Sequence, residues 1–226
     1  MTAQTEDWTE YYQKTSDLEL AWPSETMVRV FKGNYVPDLD HDYAGKSVLD
    51  VGFGIANNLL FLATLGLELS GTELSDEICQ IAATKLAKRG FKAQLKVGAN
   101  RQLPFEDNSF DFLTSWNVLH YEDNEADICL AIAEYRRVLK PGGRFFISTT
   151  GPDHKILTNH QALGHHRYQI GLDGDFRKGQ IFYYFDSEEN IQKLFGVQFK
   201  KVIVGRTHDH LFTSTLDWFI ISGVKP

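Results

Sequence analysis

The chain has 226 residues, 42% hydrophobic and 23% charged, enough apolar material for one α/β domain with a full core or two small ones. A net charge of −7 and a pI of about 5.6 argue against a nucleic-acid backbone as the main partner, because phosphate contact needs a basic face. Two cysteines fit neither a disulfide framework nor a zinc site, the opening Met-Thr-Ala-Gln-Thr-Glu-Asp is too polar for a signal peptide, and no apolar run reaches membrane-spanning length, so the expectation is a cytoplasmic protein without a membrane partner.

Residues 1–45 read as a helical cap. Trp8, Tyr11 and Tyr12 fall at i, i+3 and i+4, one aromatic face of a short helix that either lines a site or plugs a sheet edge. Trp22-Pro23-Ser24-Glu25 opens a second helix, Met27, Val28, Val30 and Phe31 give it an apolar stripe, and Gly33-Asn34 stops it. From Lys46 strands and helices alternate. Strands are expected over 48–51, 67–72, 91–97, 110–116 and 144–150. Helices fill 56–65, the stretch from the Ser75 cap to Arg89, and the amphipathic segment 125–139, closed by Lys140-Pro141-Gly142-Gly143. Repeated βα units imply a doubly wound, mostly parallel sheet with helices on both faces. Residues 151–180 lose periodicity and read as an irregular lid. A short helix to Phe195 follows, then strands over 198–204 and 213–222 joined by a loop over 205–212, an antiparallel hairpin at a sheet edge. The chain divides as one domain: cap 1–45, core 46–150, lid 151–185, and terminal helix and hairpin 186–226.

The first strand runs straight into Gly52 and Gly54. A bare turn between strand and helix brings backbone N–H groups and a helix N-terminus against a ligand, although by itself it serves equally to pack a helix on a sheet. The third glycine of a dinucleotide fingerprint is absent, since Asn57 stands there. Asp50, just before the turn, would meet a pyrophosphate unfavourably and suits an ammonium or sulfonium group. Glu73 ends the second strand, 23 residues after Asp50, at the spacing of a ribose-binding acid. The Asn100 amide can meet an adenine edge, Leu74 can pack on the ring, and Trp116-Asn117 ends the fourth strand.

The ordered set Val-Leu-Asp-Val-Gly-Phe-Gly, Gly-Thr-Glu-Leu-Ser, Leu103-Pro104-Phe105-Glu106-Asp107-Asn108-Ser109-Phe110-Asp111, Asn117-Val118-Leu119-His120 and Arg136-Arg137-Val138-Leu139-Lys140-Pro141-Gly142-Gly143 resembles the class I S-adenosylmethionine-dependent methyltransferases. The resemblance covers residues 46–150 and is nearest the small-molecule branch with the ubiquinone and menaquinone enzymes. It implies a Rossmann-like seven-stranded sheet with an antiparallel last strand. It implies S-adenosyl-L-methionine as cofactor, S-adenosyl-L-homocysteine as product, and methyl transfer to an oxygen or nitrogen of a small metabolite. Asp50 and the backbone of Gly52, Phe53 and Gly54 would hold the methionine part, Glu73 the ribose, and residues 98–101, with Ala99, Asn100 and Arg101, the adenine, with Trp116 and Asn117 along the methionine side. Ala56 replaces the third motif glycine, and Ala99 stands where many relatives carry an aspartate. Two other readings stay open: an NAD(P)-dependent oxidoreductase and a non-catalytic cofactor-binding module.

The acceptor side is expected to draw on Tyr11, Tyr12, His120, His154 and Tyr183. His120 is either a base or a packing residue, and Tyr183-Tyr184-Phe185 either walls a pocket or sits in the core. His154, His160, His165 and His166 in the lid, with His208 and His210 in the last hairpin loop, read as solvated loop histidines, and no metal site is expected. The oligomeric state is not legible.

Overall fold

Val48, Leu49 and Val51 form the centre of β1 (Ser47–Val51), whose last four residues are buried, as a strand covered on both faces requires. The computed structural model describes residues 3–15 and 22–226. Two strands run parallel beside β1: β2 (Glu68–Glu73), with Val51 opposite Thr72, and β4 (Phe110–Trp116), with Asp50 opposite Thr114. Outside these lie β3 (Ala93–Val97) and β5 (Leu139–Thr150), then the antiparallel pair β9 (Lys200–Leu211) and β10 (Ser214–Val224), in the order β3-β2-β1-β4-β5-β10-β9. The order reverses between β1 and β4, and the crevice above that reversal is where open α/β sheets take ligands.

Helices cover both faces. α2 (Glu25–Lys32), α3 (Asn57–Thr64) and α4 (Asp76–Lys88) bury Met27, Phe31, Leu59 and Ile78 against Val48, Phe112 and Phe146. α5 (Glu125–Val138) and α6 (Glu188–Gly196) bury Ile132, Tyr135 and Phe195 against Leu113, Phe145 and Ile147. Side-chain caps start three of them: Ser75, Asn124 and Ser187 accept from Ile78, Asp127 and Asn190. The Leu103-Pro104-Phe105 segment is strapped to α5 by Arg137, which donates to the carbonyls of Leu103 (2.9 Å) and Phe105 (2.7 Å) and to Asp107 (2.8 Å). α1 (Ala3–Thr15) lies across the strand ends, where Thr9 donates to Ser75 at 3.0 Å.

Two regions differ from the sequence reading. The stretch after β5 is built, not irregular. A single 3-10 turn (Lys155–Leu157) leads into β6 (Gln161–Gly164), β7 (Arg167–Gln169) and β8 (Ile181–Tyr183), a small antiparallel sheet over its own core of Ile156, Tyr168, Ile170 and Phe182. Its tight turn places His165 and His166 at φ 52° and 59°, left-handed positions that glycine or asparagine usually signals. The last hairpin has no eight-residue loop: β9 and β10 pair out to Leu211 and Ser214, so His208 and His210 lie on β9. That ribbon is largely exposed on β9 and carries no apolar alternation to announce it. Among the described residues no helix is long and apolar enough to cross a membrane.

Phe31 anchors α2 to the sheet, with its ring 5.0 Å from Phe146 and 5.6 Å from Tyr43. Phe31→Ala is expected to lower unfolding free energy by about 3–5 kcal/mol, the usual cost of emptying a buried aromatic site, read from the urea midpoint at constant m-value.

Candidate active site

The site begins where β1 ends. Gly52 and Gly54 both adopt left-handed φ, 70° and 55°. A Cβ on Gly52 would come within 2.4 Å of Val118, and one on Gly54 within 2.6 Å of the Tyr12 hydroxyl, so the turn must stay bare. Ala56, at the N-cap of α3, holds φ 64° and ψ 21°, a conformation that costs an L-residue about 1–2 kcal/mol and explains why a glycine would serve there.

Asp50 lies on β1 just under that turn, 1% exposed. Thr114 donates to its Oδ1 at 2.6 Å, while Oδ2 is buried and accepts no hydrogen bond. Burial pushes the carboxyl up to about 7, the Thr114 bond opposes this, and the neighbouring Glu73 charge adds to it. Glu73, at the end of β2, accepts from the N–H of Gly54 at 2.8 Å and of Leu74 at 2.9 Å. Its pKa is also raised, because burial outweighs those two bonds. One acid therefore supports the turn from beneath and a second clamps it from the neighbouring strand.

At the end of β3 the Asn100 side chain turns into the protein. Tyr135 donates to its Oδ1 at 2.7 Å, and its Nδ2 donates to Glu122 at 3.0 Å. The sequence reading offered this amide to an adenine edge; its main partners are protein side chains instead. Arg101 pairs with Glu122 at 3.1 Å and Asp127 at 2.9 Å. At the end of β4, Asn117 is left-handed (φ 61°) and its Oδ1 accepts from Ser148 at 2.5 Å.

These strand ends floor a cavity of about 670 Å³, in the range of drug-sized ligand sites. Glu73, Leu74, Ala99, Asn100 and Arg101 line one side of it, and Gly52, Trp116 and Asn117 lie along the middle. His120 and His154 line the far end, beside Tyr121, Lys155, Arg177 and Trp218, which the sequence reading missed. Tyr121 follows His120 directly; Arg177 sits in the aperiodic stretch and had no pattern to mark it. The roof is aromatic. Trp8 meets Tyr121 edge-on at 5.4 Å and Phe176 at 4.8 Å, and Tyr11 stacks on Phe176 at 4.4 Å. Tyr12 lies over the glycine turn near Glu73, not at the far end. Two candidates face elsewhere. Phe53 packs its ring on Gly71 in the core, and Tyr183 is fully buried in the α5 and α6 core, its hydroxyl 3.3 Å from Glu125.

Both far-end histidines are neutral. Burial holds His120 well below the usual histidine range, helped by Arg177 and His154, and its Nδ1 lies 3.3 Å from the Thr149 hydroxyl. His154 is pushed down to about 4, first by burial and then by Arg177 and Lys155. Its Nδ1 accepts from the Ile156 N–H at 3.0 Å, which leaves the proton on Nε2.

Residues 49–147 match a family described as a methyltransferase domain. A sterol 4-C-methyltransferase of Caenorhabditis elegans is 32% identical over 130 residues, 55% of this chain and 38% of that protein. A demethylmenaquinone methyltransferase of Staphylococcus haemolyticus is 34% identical over 118 residues, 51% of this chain and 47% of that protein. The chain thus spans less than half the length of either relative. Among solved structures, the 1,6-didemethyltoxoflavin-N1-methyltransferase of Burkholderia thailandensis, crystallised with S-adenosylhomocysteine, aligns with TM-score 0.71 at 17% identity over 98% of this chain and 87% of that one. A Methanosarcina mazei methyltransferase aligns with TM-score 0.67 at 22% identity over 82% and 95%. These structural likenesses concern the fold.

Asp50 sets a pH signature on stability. An unfolded aspartate titrates near 3.9, so between about pH 4 and pH 7 the folded chain keeps a proton that the unfolded chain has released, and stability falls as pH rises through that window. Asp50→Asn is expected to be more stable than the parent by a few kcal/mol at pH 8 and to lose the advantage at pH 4, read by urea unfolding at both pH values.

Proposed function

We propose that the chain is a class I S-adenosylmethionine-dependent methyltransferase and that it transfers a methyl group to an oxygen or nitrogen of a small metabolite. The observation that carries this reading is Asp50 Oδ2, a buried carboxylate oxygen without a hydrogen bond beneath a bare turn. Asp50 does not itself line the cavity, but Val51 and Gly52 after it do, and a ligand with a sulfonium and an ammonium group there offsets its charge. A dinucleotide pyrophosphate would set like charges together, which speaks against the nicotinamide reading. Glu73 keeps lone pairs on both oxygens after its two backbone bonds and can accept from ribose hydroxyls. With the Asn100 side chain engaged by Tyr135 and Glu122, adenine would meet chiefly backbone at Gly98 and Ala99 together with Leu74.

Bound there, the cofactor supplies an electrophilic methyl on sulfur, and the transfer needs no protein nucleophile. The chain's own contribution is alignment. Trp116 and Asn117 border the route between the two ends, α1 roofs it, and orientation of this kind lowers a barrier by about 7–11 kcal/mol at most. His120 is neutral, lines the cavity, and is placed to accept the proton that an acceptor hydroxyl or amine releases. A catalytically silent binding module would share the cofactor end, so turnover to S-adenosylhomocysteine with a metabolite pool separates the two, and binding of NAD instead of S-adenosylmethionine would overturn both.

A cation beside Asp50 favours its ionised form. Calorimetry is expected to show the affinity for S-adenosylmethionine falling relative to S-adenosylhomocysteine by up to about tenfold between pH 8 and pH 6, since one pKa unit corresponds to a factor of ten. A ratio constant across this range would contradict the placement of the sulfonium. Glu73→Gln is expected to weaken both ligands by about tenfold or more, the size of a lost charge-assisted hydrogen bond.

A further inference from the structure

The cavity is electrically divided. Its acidic lining residues are Glu73, Glu122 and Asp123, and Glu73, next to Asp50, marks one end. The other end is built by the stretch after β5 and by β10, and the residues these segments present are His154, Lys155, Arg177, Leu216 and Trp218. The acids on the same segments are each taken by a basic side chain, Asp173 by Lys178 at 2.5 Å and the others by arginines. Asp217 pairs with Arg206 at 2.7 Å, Asp153 with Arg206 at 2.5 Å, and Asp175 holds Arg177 at 2.6 and 2.8 Å. Lys155 makes no ion pair or hydrogen bond among the described residues. The remaining arm of Arg177 donates to the Tyr121 hydroxyl at 3.2 Å, which leaves the Tyr121 proton free to be given elsewhere. Lys155 and Arg177 stand near enough to His154 for both charges to depress its protonation. The Trp218 ring closes this end, 4.3 Å from His154 and 6.3 Å from His120.

An unpaired ammonium, a buried guanidinium with one arm turned to a hydroxyl, and an indole wall suit a flat ring with a negative charge. Charge-assisted bonds supply the strength, and the ring face supplies apolar area. A cationic acceptor would meet the unpaired Lys155 ammonium, with Asp175 already committed to Arg177. We propose that this end binds the methyl acceptor, and that the acceptor is an aromatic acid whose carboxylate is held by Lys155 and Arg177 and whose ring lies against Trp218. The proposal rests on the methyltransferase reading, because it assigns the opposite end to the cofactor.

The test is calorimetry on the full chain saturated with S-adenosylhomocysteine, using phenylacetate, phenylacetamide and phenethylamine as probes of one shape and three charges. Phenylacetate is expected to bind at least about tenfold tighter than the amide, and the amine no tighter than the amide. Lys155→Glu is expected to remove that preference and Lys155→Arg to keep it, with S-adenosylhomocysteine affinity measured on each variant as the fold control. Equal affinity for acid and amide, tighter binding of the amine, binding of none of the three, or a preference that survives Lys155→Glu overturns the proposal. Failure of S-adenosylhomocysteine itself to bind is a separate result, and it would remove the methyltransferase reading as well.

Discussion

Asp50 sits on the central strand of a parallel sheet with Thr114 as its hydrogen-bond donor and one oxygen unmatched. Buried polar atoms are normally paired, and a carboxylate left half-paired costs stability. The chain holds this group in place with its best-packed parts: β2 and β4 on either side, Phe31 and Phe146 on one face, Tyr135 and Phe145 on the other. Rigidity there preserves the unmatched oxygen, and that is the basis on which we propose a positively charged ligand for the site.

The same economy runs around the cavity. Glu73 ties the glycine turn to β2 and keeps lone pairs for a ligand. Asn100, Tyr135 and Glu122 form a relay that fixes the chain after β3 and engages the Asn100 amide at the cavity wall. Arg206 gathers Asp153 and Asp217, which seats the start of the small sheet on β10 and leaves both acids paired beside Trp218. The aromatic contact of Trp8 and Tyr11 with Tyr121 and Phe176 joins the first helix to that sheet across the opening.

The parallel core was readable because its physics is local. A β-branched run ending at Gly52 gave β1, the short apolar stretches before Glu73 and Asn117 gave β2 and β4 to within a residue or two, and Ser75 and Ser187 marked helix starts. The acids at 50 and 73 were legible for the same reason, each standing at a strand end. What failed to show depends on distant or unusual partners. Tyr135 lies 35 positions from Asn100, so its claim on that amide leaves no trace in the sequence around either residue. The strands after β5 are three or four residues long and turn through left-handed histidines, below any periodic signal. Tyr183 stands in an aromatic run that suits a pocket wall and a core equally, and only three-dimensional packing decides that its ring enters the core.

The account stands on the protonation of one carboxyl. Carbon-13 chemical shifts of the Asp50 side chain, followed through a pH titration, report it directly. The expected midpoint is about 7 in the ligand-free chain, well below that with S-adenosylmethionine bound, and lowered less with S-adenosylhomocysteine, which keeps the ammonium but lacks the sulfonium charge. A midpoint at the ordinary aspartate value of about 3.9 in all three states would contradict it.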